Sequence, residues 1–204
     1  MKVSILQEKQ IADLGHAFGY YDYGAEHGLI DVFPSRDAVA AFIRGYVRMA
    51  FRNGMLYATS ENGEGYIVYK LPGQKVALRS MLPLAKAFFF AMSLREIGYF
   101  LWVMAKGSAG LDKQLDKEKK PYVFVGLVCV REKCQGYMRK VMDMAYAQGD
   151  RLGVPVILET DAKSKCDKYV HLGMELAGTR SFGTQEMLYD LIQYPKSQKG
   201  DATK

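Results

Sequence analysis

Apolar residues in the first quarter of the chain recur at helical spacing. Ile5, Leu6, Ile11, Leu14 and Phe18 fall near intervals of three and four, which predicts an amphipathic helix over 4–18. A second stripe, Val39, Phe42, Ile43, Tyr46, Val47 and Ala50, predicts a helix capped by Ser35 and ended near Asn53-Gly54. The period then shortens. M-L-Y-A-T-S and Y-I-V-Y-K-L flank the turn-forming run E-N-G-E-G, so residues 55–71 read as a hairpin closed by Pro72-Gly73.

Residues 81–105 are the most hydrophobic part of the chain and predict one long helix or two, with Pro83 near the start and Gly98 as the place for a break. Lys86, Arg95 and Glu96 interrupt the run, whereas a bilayer span needs roughly 20 mostly uncharged residues. A buried or groove-lining helix is expected here. Lysines and acids dominate 112–120, a solvated helix or loop. Residues 122–130 are apolar almost throughout, as in a strand covered on both faces. A glycine turn follows, then a helix from about 137 that directs Val141, Met144, Ala145 and Leu152 inward and stops at Gly153. V-P-V-I-L-E is the next strand, with Pro155 at its start because proline cannot donate a ladder bond. Ser164 is placed to cap a short helix ending at Gly173. Two final runs around Gly183 read as a hairpin. These elements suit a single domain over 1–195, with 196–204 a disordered tail.

The net charge is +6, spread along the chain and partly held in 117–120 and the tail. It favours anionic partners such as a phosphate-bearing cofactor. No interleaving of aromatic and basic residues accompanies it, so no nucleic-acid partner is expected. Of the three cysteines, Cys129, Cys134 and Cys166, none forms a C-x-x-C pair, which speaks against a disulfide framework and a structural zinc site. His16, His27 and His171 are too scattered for a metal centre. A cytoplasmic protein without a membrane partner is expected. The start, M-K-V-S-I-L-Q-E-K-Q, lacks the pattern of a signal peptide.

Chemistry concentrates between Tyr122 and Gly173, in the order strand, glycine turn, helix, strand, helix. A helix opened by a glycine turn presents unpaired N–H groups and a positive dipole end, which suits a phosphate. Lys133 and Arg139 add charge beside Gly136. Glu159 and Asp161 end the second strand, where a cap or a solvent-facing role is open to each. Tyr169 can pack as an aromatic at a helix end. Lys163, Lys165 and Lys168 could meet a further phosphate or form a solvated basic face. The loop G-Y-Y-D-Y-G at 19–24 is a substrate wall or a lid on the core edge.

The order of elements, the turn Lys133-Cys134-Gln135-Gly136-Tyr137-Met138, and Tyr169-Val-His-Leu-Gly173 after V-I-L-E-T-D together resemble the GNAT N-acetyltransferases. That superfamily carries Q/R-x-x-G-x-G/A in the turn. Lys133 stands where Gln or Arg is usual, Gly136 matches, and Met138 replaces Gly or Ala. The resemblance implies an α/β (α+β) fold: a mixed, mostly antiparallel twisted sheet flanked by helices, with splayed central strands. Residues 81–120 would be a helical insert. It implies acetyl-CoA as co-substrate, its pyrophosphate on the backbone of Lys133, Cys134, Gln135, Gly136, Tyr137, Met138 and Arg139. The pantetheine arm would lie along Val128, Cys129 and Val130. Tyr169 would be the acid and Glu159 the base in direct transfer to a primary amine, of a small molecule or of a peptide. A homodimer is allowed. The alternative is a silent domain of this type that binds acyl-CoA or a protein partner without turnover.

Overall fold

The computed structural model describes residues 1–107, 109–131, 136–181 and 186–199. Lys133, Cys134 and Gln135, with the centre of the last hairpin, lie outside them.

The chain opens with α1 (Glu8–Gly19) and α2 (Arg36–Arg52). The Ser35 hydroxyl accepts the Ala38 N–H at 3.1 Å and starts α2 as predicted. The hairpin follows as β1 (Leu56–Ala58) and β2 (Gly65–Lys70), then the insert as α3 (Leu82–Ala91), α4 (Leu94–Lys106) and α5 (Leu111–Lys117). The remainder is β3 (Val123–Val130), α6 (Tyr137–Leu152), β4 (Val156–Thr160), α7 (Lys163–His171), β5 (Glu175–Ser181), β6 (Met187–Gln193) and α8 (Lys196–Lys199). The strands form one sheet in the order β1-β2-β3-β4-β6-β5. Every neighbouring pair is antiparallel except β3 and β4, which run parallel. The expected mixed, mostly antiparallel sheet is therefore present.

Two apolar layers sandwich it. On one face Val39, Ile43 and Val47 of α2 pack with Leu56, Val68 and Leu127. On the other Val141, Met142 and Ala145 of α6 pack with Ile67, Val125, Val156 and Leu158. Each of the valines, leucines, isoleucines and the methionine stabilises by about 1.5–3 kcal/mol on full burial.

Four details differ from the sequence reading. The buried face of α6 is Val141, Met142, Ala145, Tyr146 and Gly149, while Leu152 is exposed at the last turn. An apolar residue there gains nothing, because β4 begins four residues later on the far side of the Gly153 turn. The insert breaks at Met92-Ser93, not at Gly98. Ser93 and Glu96 form a reciprocal capping box that starts α4 afresh, and buried Phe100 and Val103 hold Gly98 within a continuous helix. Ser164 is not the cap of α7. Its own N–H and hydroxyl donate to Glu26 from the tyrosine-rich loop, at 3.1 and 2.6 Å. Finally, Lys196–Lys199, placed in the tail, makes one helical turn whose first N–H donates to Asp150 at 2.9 Å.

Candidate active site

The centre of the sheet opens between β3 and β4, and the backbone accounts for it. Arg131 N–H donates to the Glu64 carbonyl at 2.9 Å, and β3 pairs with β2 residue for residue from Val130 back to Leu127. Antiparallel pairs alternate between those that exchange backbone bonds and those that do not. Leu127 and Cys129 therefore turn their N–H and C=O groups toward β2. Val128 and Val130 turn theirs the other way, toward β4. Yet β3 and β4 pair only through Val125↔Leu158. Beyond that point β4 stays with β6 as far as Thr160↔Tyr189, and β3 stays with β2. Val128 and Val130 thus face a gap between parallel strands.

A bulge at Gly126 sets this up. Val123 N–H donates to Pro155 on the β4 side, so odd-numbered residues face β4 before the bulge and even-numbered ones after it. The register shift against Val68/Tyr69 marks the change. A Cβ at 126 would lie 2.1 Å from the Tyr46 hydroxyl, so any larger residue would have to push Tyr46 off the bulge. Tyr46 reaches over the bulge from α2, its phenol pushed up to about 12 by burial. This residue escaped the sequence reading, which had placed it only on a helix face. The three-residue edge expected at 128–130 is corrected to Val128 and Val130. Cys129 spends its backbone on β2, and burial pushes its thiol up to about 11. It is a thiol, not a thiolate, at neutral pH.

Gly136 sits at the N-cap of α6 in the left-handed region, φ +89°. A Cβ there would meet nothing within 4 Å among the described residues. Among the described residues no side chain caps α6, and its first-turn N–H groups, at Tyr137 to Arg139, have no intrahelical acceptor. Met138 packs against the α6 core cluster. Tyr137 lies under the Lys140 ammonium, 4.3 Å from its ring centre. Arg139 turns away from the turn: its guanidinium donates to the carbonyls of Leu172 at 3.1 Å and His171 at 3.3 Å, closing the C-terminus of α7. A charge contact from this side chain to a ligand at Gly136 is thereby replaced by a structural one.

Tyr169 projects from α7 into the cluster below the gap. Its phenol is raised well above the ordinary value, first by burial and then by Asp161, Tyr146, Cys129 and Tyr21 nearby. The Tyr146 hydroxyl in the same cluster is buried with no hydrogen-bond partner among the described residues. Glu159 lies on the opposite face. Strand alternation sends Leu158 toward α6, and Ile157 and Glu159 toward the insert. There its Oε1 meets Arg180 at 2.8 Å. Arg180 also pairs with Asp190 and donates to the Gly107 carbonyl at 2.7 Å, so it ties β4, β5 and β6 to the insert. Burial raises the Glu159 carboxyl, Arg180 opposing it.

Asp161 has a different setting. The Tyr23 hydroxyl donates to its Oδ2 at 2.6 Å, Leu29 N–H to the same oxygen at 2.8 Å, and Lys165 to Oδ1 at 2.7 Å. Lys165 also lies over the rings of Tyr21 and Tyr23, 4.3 and 4.2 Å from their centres. Burial pushes the Asp161 carboxyl up, but Lys165 and the three hydrogen bonds outweigh it and hold it below the usual range. With its lone pairs so occupied, Asp161 anchors the tyrosine-rich loop. Lys163 is paired with Asp167. The Lys163 pair is exposed on both sides, whereas Lys165 is held by Asp161 and the two rings; the paired loop-to-helix contacts were not visible in local sequence. No group of His, Cys, Asp and Glu suited to a metal ion occurs among the described residues.

No family model matches the sequence, and no curated protein does. Solved structures do match the fold. An agmatine N-acetyltransferase aligns at a TM-score of 0.58 and 14% identity, over 95% of this chain and 98% of that one. A histone acetyltransferase HPA2-related protein from Corynebacterium glutamicum aligns at 0.58 and 12%, over 96% and 94%. A polyamine N-acetyltransferase from Drosophila melanogaster aligns at 0.52 and 14%, over 90% and 94%. The open sheet, the bulged central strand and the glycine-capped helix beyond it are thus the fold of the GNAT N-acetyltransferases.

Proposed function

We propose that the protein is an N-acetyltransferase that moves an acetyl group from acetyl-CoA directly to a primary amine. The observation that carries this is the gap between β3 and β4. Val128 and Val130 offer backbone donors and acceptors to an extended ligand arm, as a strand would. Six residues after Val130 comes the α6 N-terminus at Gly136, capped by no described side chain, where a phosphate is favoured by helix N–H groups and the helix dipole. Acetyl-CoA has this shape and charge, an amide-bearing arm joined to a pyrophosphate, and it supplies an acyl group activated as a thioester.

The chain's own residues would do the remainder. N–H groups at the open edge of β3 are fixed donors for a developing oxyanion. Tyr169 would hold its proton at Oη on the α6 face of the sheet. Its raised pKa suits a donor to a thiolate that is itself desolvated, since burial disfavours both anions. Glu159, on the other face, would take the amine's proton through water. Agmatine and polyamine acetylation by neighbours of this fold supports a small amine acceptor; the amino group of a peptide is the second class. The free thiols of Cys129 and Cys166 suit a reducing cytoplasm.

The ion pair that holds Glu159 favours one other reading, a domain that binds acyl-CoA without turnover. Release of free CoA thiol against a panel of diamines, arylalkylamines and peptide N-termini separates them: turnover with any amine supports the enzyme, and binding without turnover supports the silent domain. Gly136→Trp is expected to weaken acetyl-CoA binding by at least about tenfold in calorimetry, because it fills the ligand space and forces a side chain into the left-handed region. Unchanged affinity would remove the assigned phosphate site. Glu159→Gln is expected to lower kcat by about 100-fold and to abolish the acid limb of the pH–rate profile, which lies above the ordinary carboxylate range because the Glu159 pKa is raised. An intact profile in that variant would leave Glu159 only its pairing with Arg180.

A further inference from the structure

The insert leaves an apolar face uncovered. No residue of α3 is buried. Its outer stripe carries Leu82, Phe89 and Phe90, the last 88% exposed. Met92-Ser93 is the whole link to α4, so Leu94, 78% exposed, follows Phe90 closely. Along α4 the stripe continues through Leu101 and Trp102, and buried Phe100 and Val103 fix the opposite side on the core. Monomeric proteins seldom expose so many large apolar side chains in one region without a partner.

The charges around the face choose the partner. Residues 78–106 contain the basic residues Arg79, Lys86, Arg95 and Lys106 against one acid, Glu96, which is engaged at the Ser93 N–H. Between α2 and α3 lies a groove of about 520 Å³ whose walls combine Arg44, Arg52 and Lys86 with Leu82 and Phe90. Lys106 and Tyr99 both lie against Trp102, at 4.0 Å from its ring and 5.9 Å between ring centres. A second copy would set these positive charges against their own kind. An anionic surface would complement them, and protruding phenylalanines with a Tyr–Trp–Lys edge are the makeup of a helix lying in a lipid headgroup layer.

We propose that the α3–α4 face docks the protein on an anionic phospholipid surface. Phe89, Phe90, Leu94 and Trp102 seat in the interface, and Lys86, Arg95, Arg52 and Arg44 meet lipid phosphates. Such docking needs no spanning helix, and among the described residues no helix is long and apolar enough to span. The absence of a membrane partner was expected from the charges inside 81–105, but those charges forbid crossing a bilayer, not lying on it.

Trp102 is the only tryptophan, so its emission reports the face directly. The full chain is mixed with vesicles of phosphatidylcholine plus phosphatidylglycerol, or of phosphatidylcholine alone, and followed by co-sedimentation and tryptophan emission. Binding to the anionic vesicles with a blue shift, and little binding to the neutral ones, is expected. Lys86→Glu and Arg95→Glu should each weaken it by more than about fivefold. The pair Phe89→Ser and Phe90→Ser should abolish it, and these exposed sites leave the fold intact, as circular dichroism checks. The proposal is overturned by no binding, by equal binding to both vesicles, or by a concentration-dependent dimer that shifts Trp102 emission without lipid, which would assign the face to a second copy.

Discussion

Tyr169→Phe is expected to lower kcat for acetyl transfer by about 100-fold, the lower end of what a positioned proton donor contributes, with acetyl-CoA affinity unchanged. The ring stays, and with it the packing against the α6 cluster; only the hydroxyl is lost. Two features make that hydroxyl matter. It lies in the apolar α6-side cluster with Tyr146, where a departing thiolate would find little water to supply a proton. Its raised pKa also keeps it protonated throughout the neutral range, so it is always in the donating form. Steady-state kinetics on the variant, with affinity from calorimetry, checks this. If the role is packing alone, kcat stays at the wild-type value, and a deficit that shrinks with more acidic thiol leaving groups would support proton donation specifically.

Asp161→Asn is expected to destabilise the protein by about 3 kcal/mol, the size seen when one partner of a largely buried ion pair is removed. For a chain of this length that is a fall in Tm of about 6–12 °C. Lys165 would keep its charge in a site where its side chain is only 18% exposed, facing two tyrosine rings and no anion. The pH dependence has a definite direction. The folded-state pKa of Asp161 is depressed, so its contribution is complete above the unfolded value, about 3.9, and is lost as pH falls through the folded one. The variant should therefore show a flatter loss of stability in acid than the wild type. Thermal melts of both proteins across the acid range test it, and parallel curves would contradict it. Because Asp161 holds the tyrosine-rich loop, the variant should also raise KM for the amine more than for acetyl-CoA.

The parts of the site that rest on one run of residues were legible in the sequence. The apolar stretch at 122–130 contains β3, and the glycine at 136 does open a helix. The order of elements was enough to indicate the fold. What could not be read depends on partners far along the chain. The bulge at Gly126 is invisible in V-G-L-V, because its parity change is defined by β2 and Pro155. Arg139 looks like a ligand for phosphate until α7 folds back and offers it two carbonyls. Glu159 and Asp161 sit two residues apart, yet they face Arg180 and Lys165 on unrelated elements, and their pKa values move in opposite directions as a result. Leu152 matched the helical period of its neighbours but lay one turn past the edge of the sheet.

The open edge of β3 can be tested residue by residue with amide hydrogen exchange, followed by NMR with and without acetyl-CoA. In the free protein Leu127 and Cys129 should exchange slowly, being bonded to β2, while Val128 and Val130 exchange faster. Adding acetyl-CoA should slow Val128 and Val130 selectively and perturb the amides of Gly136 to Arg139. If Val128 and Val130 are already as protected as their neighbours, or if acetyl-CoA leaves them unchanged, the gap between β3 and β4 is not the acyl-CoA site.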